Sequence, residues 1–301
     1  MKTAKLCFSS EEEIKNYVNE CENGYLDGVK AAFESSLQSG SSILTLSGPT
    51  CSGKTTTSLI LDREFEKIGK TLHTVSIDDF YFDRDLLDAR CKEKGIPLDY
   101  DSPSTIDFDL FGNAIEQIEK RGKVTLPSFD FKSGKRAGYY TIDSTDGDVF
   151  LFEGIQAVYP EFISHLSGHA YTPMFISVAS KVAYGDEVFG QRILRFFRRL
   201  VRDLRERNTS AEKTFLIWDG VCKNEDENIF PNLTDSHIYI DSSMAYEVSV
   251  IKPFLVPLLC GIAEDSVYYE KAQKLLERLS GIPVIDEKYL PRESVFREFI
   301  G

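Results

Sequence analysis

Gly48-Pro-Thr-Cys-Ser-Gly53-Lys54-Thr55 constrains this chain more than any other stretch, because it satisfies the G-x-x-x-x-G-K-[ST] spacing at every fixed position. A short apolar strand, Ile43 to Ser47, precedes it, and Lys54 to Ile68 reads as helix behind it. Glycines let the backbone curl so that successive N–H groups face phosphate oxygens. The helix start adds its partial positive charge. Lys54 then reaches the β- and γ-phosphates, and the Thr55 hydroxyl is placed for Mg²⁺. Gly48, Thr50, Cys51, Ser52, Gly53 and Thr56 complete the expected cradle. ATP and Mg²⁺ are therefore the expected cofactors.

Strands continue to alternate with helices along the chain. Leu72 to Ile77, Val149 to Phe152, Met174 to Val178 and His237 to Ile240 are short apolar runs, as buried parallel strands would be. The expected fold class is α/β, a P-loop NTPase-type doubly wound parallel sheet with helices on both faces. Residues 1–40 form an N-terminal helical segment, with the helix from about Glu11 to Gln38. Residues 41–242 form the core, with a lid helix at about 186–207. Residues 243–301 read as a helical C-terminal extension packed on that core. The polar stretches 82–105 and 127–147 read as irregular, the second holding a small substrate-side hairpin from Ala137 to Ile142.

A formal charge of −13 argues against nucleic acid as a partner, since nucleic-acid binders carry a basic footprint. Six scattered cysteines without a C-x-x-C pair, beside four histidines, make a structural zinc site or a disulfide framework unexpected. No apolar leader opens the chain, and Val248 to Ala263 carries Lys252, Pro253 and Pro257 and is too short to span a bilayer. A cytoplasmic protein without membrane association is the expectation.

A kinase needs a metal anchor, a base and cations over the transferred charge. Glu153 ends the run Val149-Phe-Leu-Phe and stands as the second metal ligand beside Thr55. Asp78 and Asp79 follow the second strand, on the ligand side of an open α/β sheet. Either could cap the next helix, and Asp78 is taken as general base. From Arg192 to Arg207 there are seven arginines, with Ile193, Leu194, Phe196, Phe197, Leu200, Val201 and Leu204 between them. Such a helix can simply present a solvated basic face. The alternative is a lid whose guanidinium forks close on phosphate, with Arg199, Arg202 and Arg207 as contacts and Arg202 catalytic.

The runs GPTCSGKT, SIDDFY, DYDSPSTIDFD, PSFDF, LFEGI and RRLVRDLRER occur in the order seen in uridine kinases, and the resemblance covers residues 43–242. Within that family the chain is most similar to a bacterial branch of uridine-kinase-like nucleoside kinases. Ser210 to Trp218 and Arg297 to Gly301 also resemble that branch, whereas the N-terminal TGS-type domain of some of its members is not seen here. The resemblance implies transfer of the γ-phosphoryl of ATP to the 5′-hydroxyl of a nucleoside, uridine- or cytidine-like. It implies Asp78 as the base, Lys54 on the phosphates and Tyr81 beside the acceptor. It puts Asp101 on the ribose hydroxyls, Tyr100 and Phe131 around the base, and Arg136 and Arg199 beside the substrate. It also suggests a homo-oligomer.

Four positions depart from the pattern of pyrimidine-selective members: Phe129 replaces a tyrosine, Gly134 a histidine, Ile217 a glutamine and Thr209 an arginine. Each change removes a group that could read a base edge. Two other readings stay open: a kinase for another small alcohol, ribulose 5-phosphate- or pantothenate-like, and a non-catalytic ATP-binding regulator. Cys51, at a helix start, also invites a redox role, although a small residue at a variable loop position is the plainer reading.

Overall fold

The computed structural model describes residues 1–95 and 102–301. Its strands are β1 (Lys2–Thr3), β2 (Ile43–Ser47), β3 (Thr71–Ser76), β4 (Gly122–Asp130), β5 (Lys135–Ser144), β6 (Asp148–Glu153), β7 (Tyr171–Ser177), β8 (Val182–Tyr184), β9 (Glu187–Phe189) and β10 (Ile238–Asp241). Its helices are α1 (Glu11–Ser39), α2 (Lys54–Lys67), α3 (Arg84–Lys94), α4 (Phe108–Lys120), α5 (Pro160–His165), α6 (Gln191–Arg207), α7 (Ala211–Asn224), α8 (Glu247–Cys260), α9 (Tyr269–Ser280) and α10 (Arg297–Ile300).

The central sheet is parallel, in the order β10-β7-β2-β6-β3. All of β2 is buried, as is β6 up to its last residue, because both faces of the sheet are covered. Alternation splits each strand between two cores. Leu44, Leu46, Val149 and Leu151 face one that holds α1, α2, α6, α8 and α9. Ile43, Phe150 and Phe152 face the other, against α4 and β4. The fold is thus α/β, a doubly wound parallel sheet with helices on both faces. Register then sets the site: Glu153 at the end of β6 pairs with Leu46 on one side and Ser76 on the other. The turns after β2, β3 and β6 therefore emerge side by side.

Three expectations need correction. The hairpin is not a short piece at Ala137 to Ile142 but the long antiparallel pair β4–β5. Stretch 82–105 is not wholly irregular, since α3 occupies Arg84–Lys94, a run free of glycine and proline. The lid helix starts at Gln191 rather than 186, because Glu187–Phe189 pairs with β8 in a small sheet with β1. Among the described residues, no helix is long and apolar enough to cross a membrane.

Candidate active site

The cradle is built by close approach. A Cβ on Gly48 would stand 2.2 Å from the Ile176 carbonyl oxygen on β7, so only glycine lets the chain leave β2 there. Cys51 (φ 58°) and Gly53 (φ 97°) are left-handed, which turns neighbouring N–H groups toward a common centre. Lys54 Nζ donates to the Gly48 carbonyl at 3.0 Å and lies 3.8 Å from Glu153 Oε1. These residues open onto a cavity of about 400 Å³ lined by Thr50 to Thr55, Asp78, Tyr81, Glu153, Gln156, Arg199, Arg202, Arg207 and Glu298. Cys51 is 2% exposed, which denies an oxidant the access that a redox role requires.

The paired aspartates separate. A tight turn, Ile77–Phe80, sends Asp78 into the cavity and Asp79 away from it. Asp79 Oδ1 accepts the Phe129 N–H at 2.9 Å and so anchors β4. Burial raises its pKa, and the charge of Asp78 adds to the effect. Gln156 Nε2 donates to Asp78 Oδ1 at 2.9 Å and to the Tyr81 hydroxyl at 3.0 Å, fixing both side chains. Burial also raises the Glu153 pKa; Lys54 opposes this, and Asp78 and Glu298 reinforce it.

The seven arginines divide: Arg192, Arg205 and Arg207 are exposed, whereas Arg195, Arg198, Arg199 and Arg202 are buried or half-buried. Arg195 and Arg198 are among the largest fully buried side chains. Arg195 meets Glu225 through both oxygens, at 2.5 and 2.6 Å, and donates to the Thr50 carbonyl at 3.3 Å. Arg198 is paired with the buried Glu247 and donates to the carbonyls of Cys51 (3.3 Å) and Ser242 (2.8 Å). These two clamp the backbone of the cradle. Arg199 and Arg202 face the cavity and reach Thr50 Oγ1 at 3.3 and 3.4 Å. Asp203, 1% exposed, holds Arg199 (3.0 Å), Arg202 (3.4 Å) and Arg207 (3.3 Å) together.

Asp203, Gln156 and Glu298 escaped the sequence reading. Asp203 carried a signal, standing four residues after Arg199 and four before Arg207, the spacing of helical ion pairs. Gln156 and Glu298 carried none.

The substrate-side residues are less gathered. Phe129 is buried and meets the Tyr81 ring edge-on, with centroids 5.7 Å apart. Phe131 is 56% exposed and meets Phe129 rather than the cavity wall. Arg136 donates to the Tyr81 carbonyl and to Asp107 Oδ2, both at 3.2 Å, so its charge is compensated within the protein. Tyr100 and Asp101 lie outside the described residues. Thr56 borders a second cavity, and Gly48 supports the first from behind. Gly134 is left-handed (φ 69°), and a Cβ there would stand 2.8 Å from the Arg84 guanidinium, so a histidine would strain this turn and require Arg84 to move.

The Phosphoribulokinase / Uridine kinase family matches residues 43–249. A uridine kinase of Ureaplasma urealyticum is 30% identical over 201 residues, covering 66% of this chain and 86% of its own length. A uridine-cytidine kinase B of Dictyostelium discoideum is 27% identical over 200 residues, covering 66% of this chain and 73% of its own. A uridine kinase of Lactobacillus helveticus is 26% identical over 181 residues, 60% of this chain and 76% of its own.

Proposed function

Because the chain belongs to the phosphoribulokinase and uridine kinase family of P-loop kinases, we propose that it transfers the γ-phosphoryl of ATP to the 5′-hydroxyl of a nucleoside. One observation carries this reading. Asp78 opens into the same cavity as Lys54 and the arginines, and Gln156 fixes its orientation. There Asp78 accepts the proton of the acceptor hydroxyl as the oxygen attacks phosphorus and the bond to ADP breaks. Lys54 and Arg202 face the charge that spreads over the transferred oxygens. Two buried polar atoms of this cradle, Ser52 Oγ and Arg202 Nε, have no partner among the described residues and suit an anionic ligand.

Thr55 and Glu153 would hold Mg²⁺, which neutralises phosphate charge when bound. One hydroxyl and one carboxylate beside a phosphate cradle is a donor set that Mg²⁺ accepts when phosphates complete its shell.

Two cations on the acceptor side are engaged within the protein, Arg136 with Asp107 at 3.2 Å and the exposed Lys135 with Asp85 at 3.1 Å. ADP release is the test, measured with ATP and Mg²⁺ across uridine, cytidine, adenosine, guanosine, thymidine, ribulose 5-phosphate and pantothenate, with Asp78→Asn as control. Stimulation by a nucleoside and its loss in the control are expected. Stimulation only by a non-nucleoside overturns the acceptor, and ATP binding without turnover on any of them favours a regulator.

A further inference from the structure

Thr56, Thr57 and Ser58 follow Lys54 and Thr55 in α2, and their hydroxyls are not held alike. Thr57 Oγ1 donates to the Gly53 carbonyl at 2.9 Å, and Ser58 Oγ to the Lys54 carbonyl at 3.0 Å. Both bond back to the preceding turn, a common habit of hydroxyls inside a helix. Thr56 Oγ1 instead donates out of its helix, to Glu298 Oε2 at 3.1 Å. A helical threonine divides between two rotamers, because its hydroxyl can also turn to a carbonyl of the preceding turn. Glu298 selects between them.

The partner is firmly placed. The C-terminal segment from Pro291 lies beyond residues 43–249, which the family matches, yet it packs against the cradle at several points. Val295 Cγ2 sits 2.5 Å from where a Cβ on Gly53 would stand. Phe296 and Phe299 lie 4.9 and 5.3 Å from the Arg198 guanidinium, which donates to the Cys51 carbonyl. Ser294, Val295, Phe296, Phe299 and Ile300 are buried, and Arg297 donates to the carbonyls of Glu287 and Gly301 at 3.0 and 2.9 Å. From this support the half-buried Glu298 lines the active-site cavity beside Thr55, Glu153 and Arg202.

The first turn of α2 is where an anion meets backbone N–H groups and the positive end of the helix. In such a site a displacement of about 1 Å can cost about a hundredfold. We infer that Glu298 is a positioning residue of the phosphate site: it turns the Thr56 hydroxyl outward and so holds the first turn of α2 in the form that receives the triphosphate. It acts as a hydrogen-bond acceptor, since its charge alone would repel phosphate. The inference rests on the proposed kinase reading.

Titration calorimetry with ATP on the full chain, beside melting curves without ligand, tests it. Glu298→Ala is expected to weaken ATP about tenfold, without a matching fall in melting temperature. Glu298→Gln keeps an acceptor oxygen in the same place and should recover most of that affinity. Thr56→Val should weaken ATP as well, and adding Glu298→Ala to it should bring little further loss, because the two side chains act as one unit. Unchanged or tighter ATP binding in Glu298→Ala overturns the inference. So does a Glu298→Gln variant as weak as Glu298→Ala, or full additivity of the Thr56 and Glu298 losses. Failure of the unsubstituted protein to bind ATP overturns the kinase reading itself, and the inference with it.

Discussion

The phosphate cradle and the β4–β5 hairpin are held in opposite ways. Around the cradle every constraint is internal: β2 is buried throughout, and two buried arginine–glutamate pairs grip the backbone carbonyls of Thr50 and Cys51. On the hairpin, nine of the ten residues of β5 are exposed or half-buried, and Tyr139 and Tyr140 are 56% and 41% exposed. β4 buries Val124, Leu126 and Phe129 in the core, while β5 is tethered at a few points, such as Asp83 to the Arg136 N–H. Phosphate chemistry needs one geometry; on the proposed reading the hairpin serves acceptor choice, which a more loosely held element can change. The positions that depart from the uridine kinase pattern at Phe129 and Gly134 fall on the hairpin.

The contrast is sharpest for chemistry. Asp78→Asn is expected to lower kcat by about 10²- to 10⁴-fold with ATP still bound, as read by single-turnover kinetics. Arg198→Met strands Glu247 in the core and should cost about 3–5 kcal/mol in urea unfolding. Adding Glu247→Met should recover much of that loss; no recovery would mean that the pair is not what holds the cradle.

Asp241, at the end of β10, gives a smaller and pH-dependent effect. Burial alone would raise its pKa, but hydrogen bonds from Ser243 and Ser180 and the charge of Lys2 hold it at about 2, against an ordinary 3.8. A depressed carboxyl stabilises the fold above its unfolded pKa and loses that contribution as pH falls through its folded one. Asp241→Asn should therefore cost about 2 kcal/mol at neutral pH. The gap to the unsubstituted protein should narrow as pH drops from about 4 toward 2; a gap independent of pH would remove the charge from the argument. Least of all, Tyr140→Ala on the hairpin should stay within about 0.5 kcal/mol by thermal melting. A cost above that would mean the hairpin is as tightly built as the cradle.

What could be read from the sequence was local. The β2 run coincided with its strand, and the cradle motif placed Lys54 at a helix start, because spacing and two-sided burial fix both within a few residues. Long-range pairings were not legible. Glu225 lies 30 residues from Arg195, and Glu298 lies 242 residues from Thr56. Arginine counts as polar in a periodicity, so two buried arginines read as part of a solvent face until their partners were placed. Pro127 and the glycines hid the hairpin's length, since they interrupt alternation while the pairing resumes past a register shift between Ser128 and Phe129.

Asp203 has an electrical consequence. Three arginines of α6 share this one buried carboxylate, so any anion approaching them competes with a counter-charge that cannot leave. A lone monoanion gains little by that exchange. A polyanion that meets Lys54, the turn amides and all three guanidinium groups at once gains at every contact. The buried aspartate thus lowers the pull on any single anionic group, and a ligand that makes several contacts at once regains it.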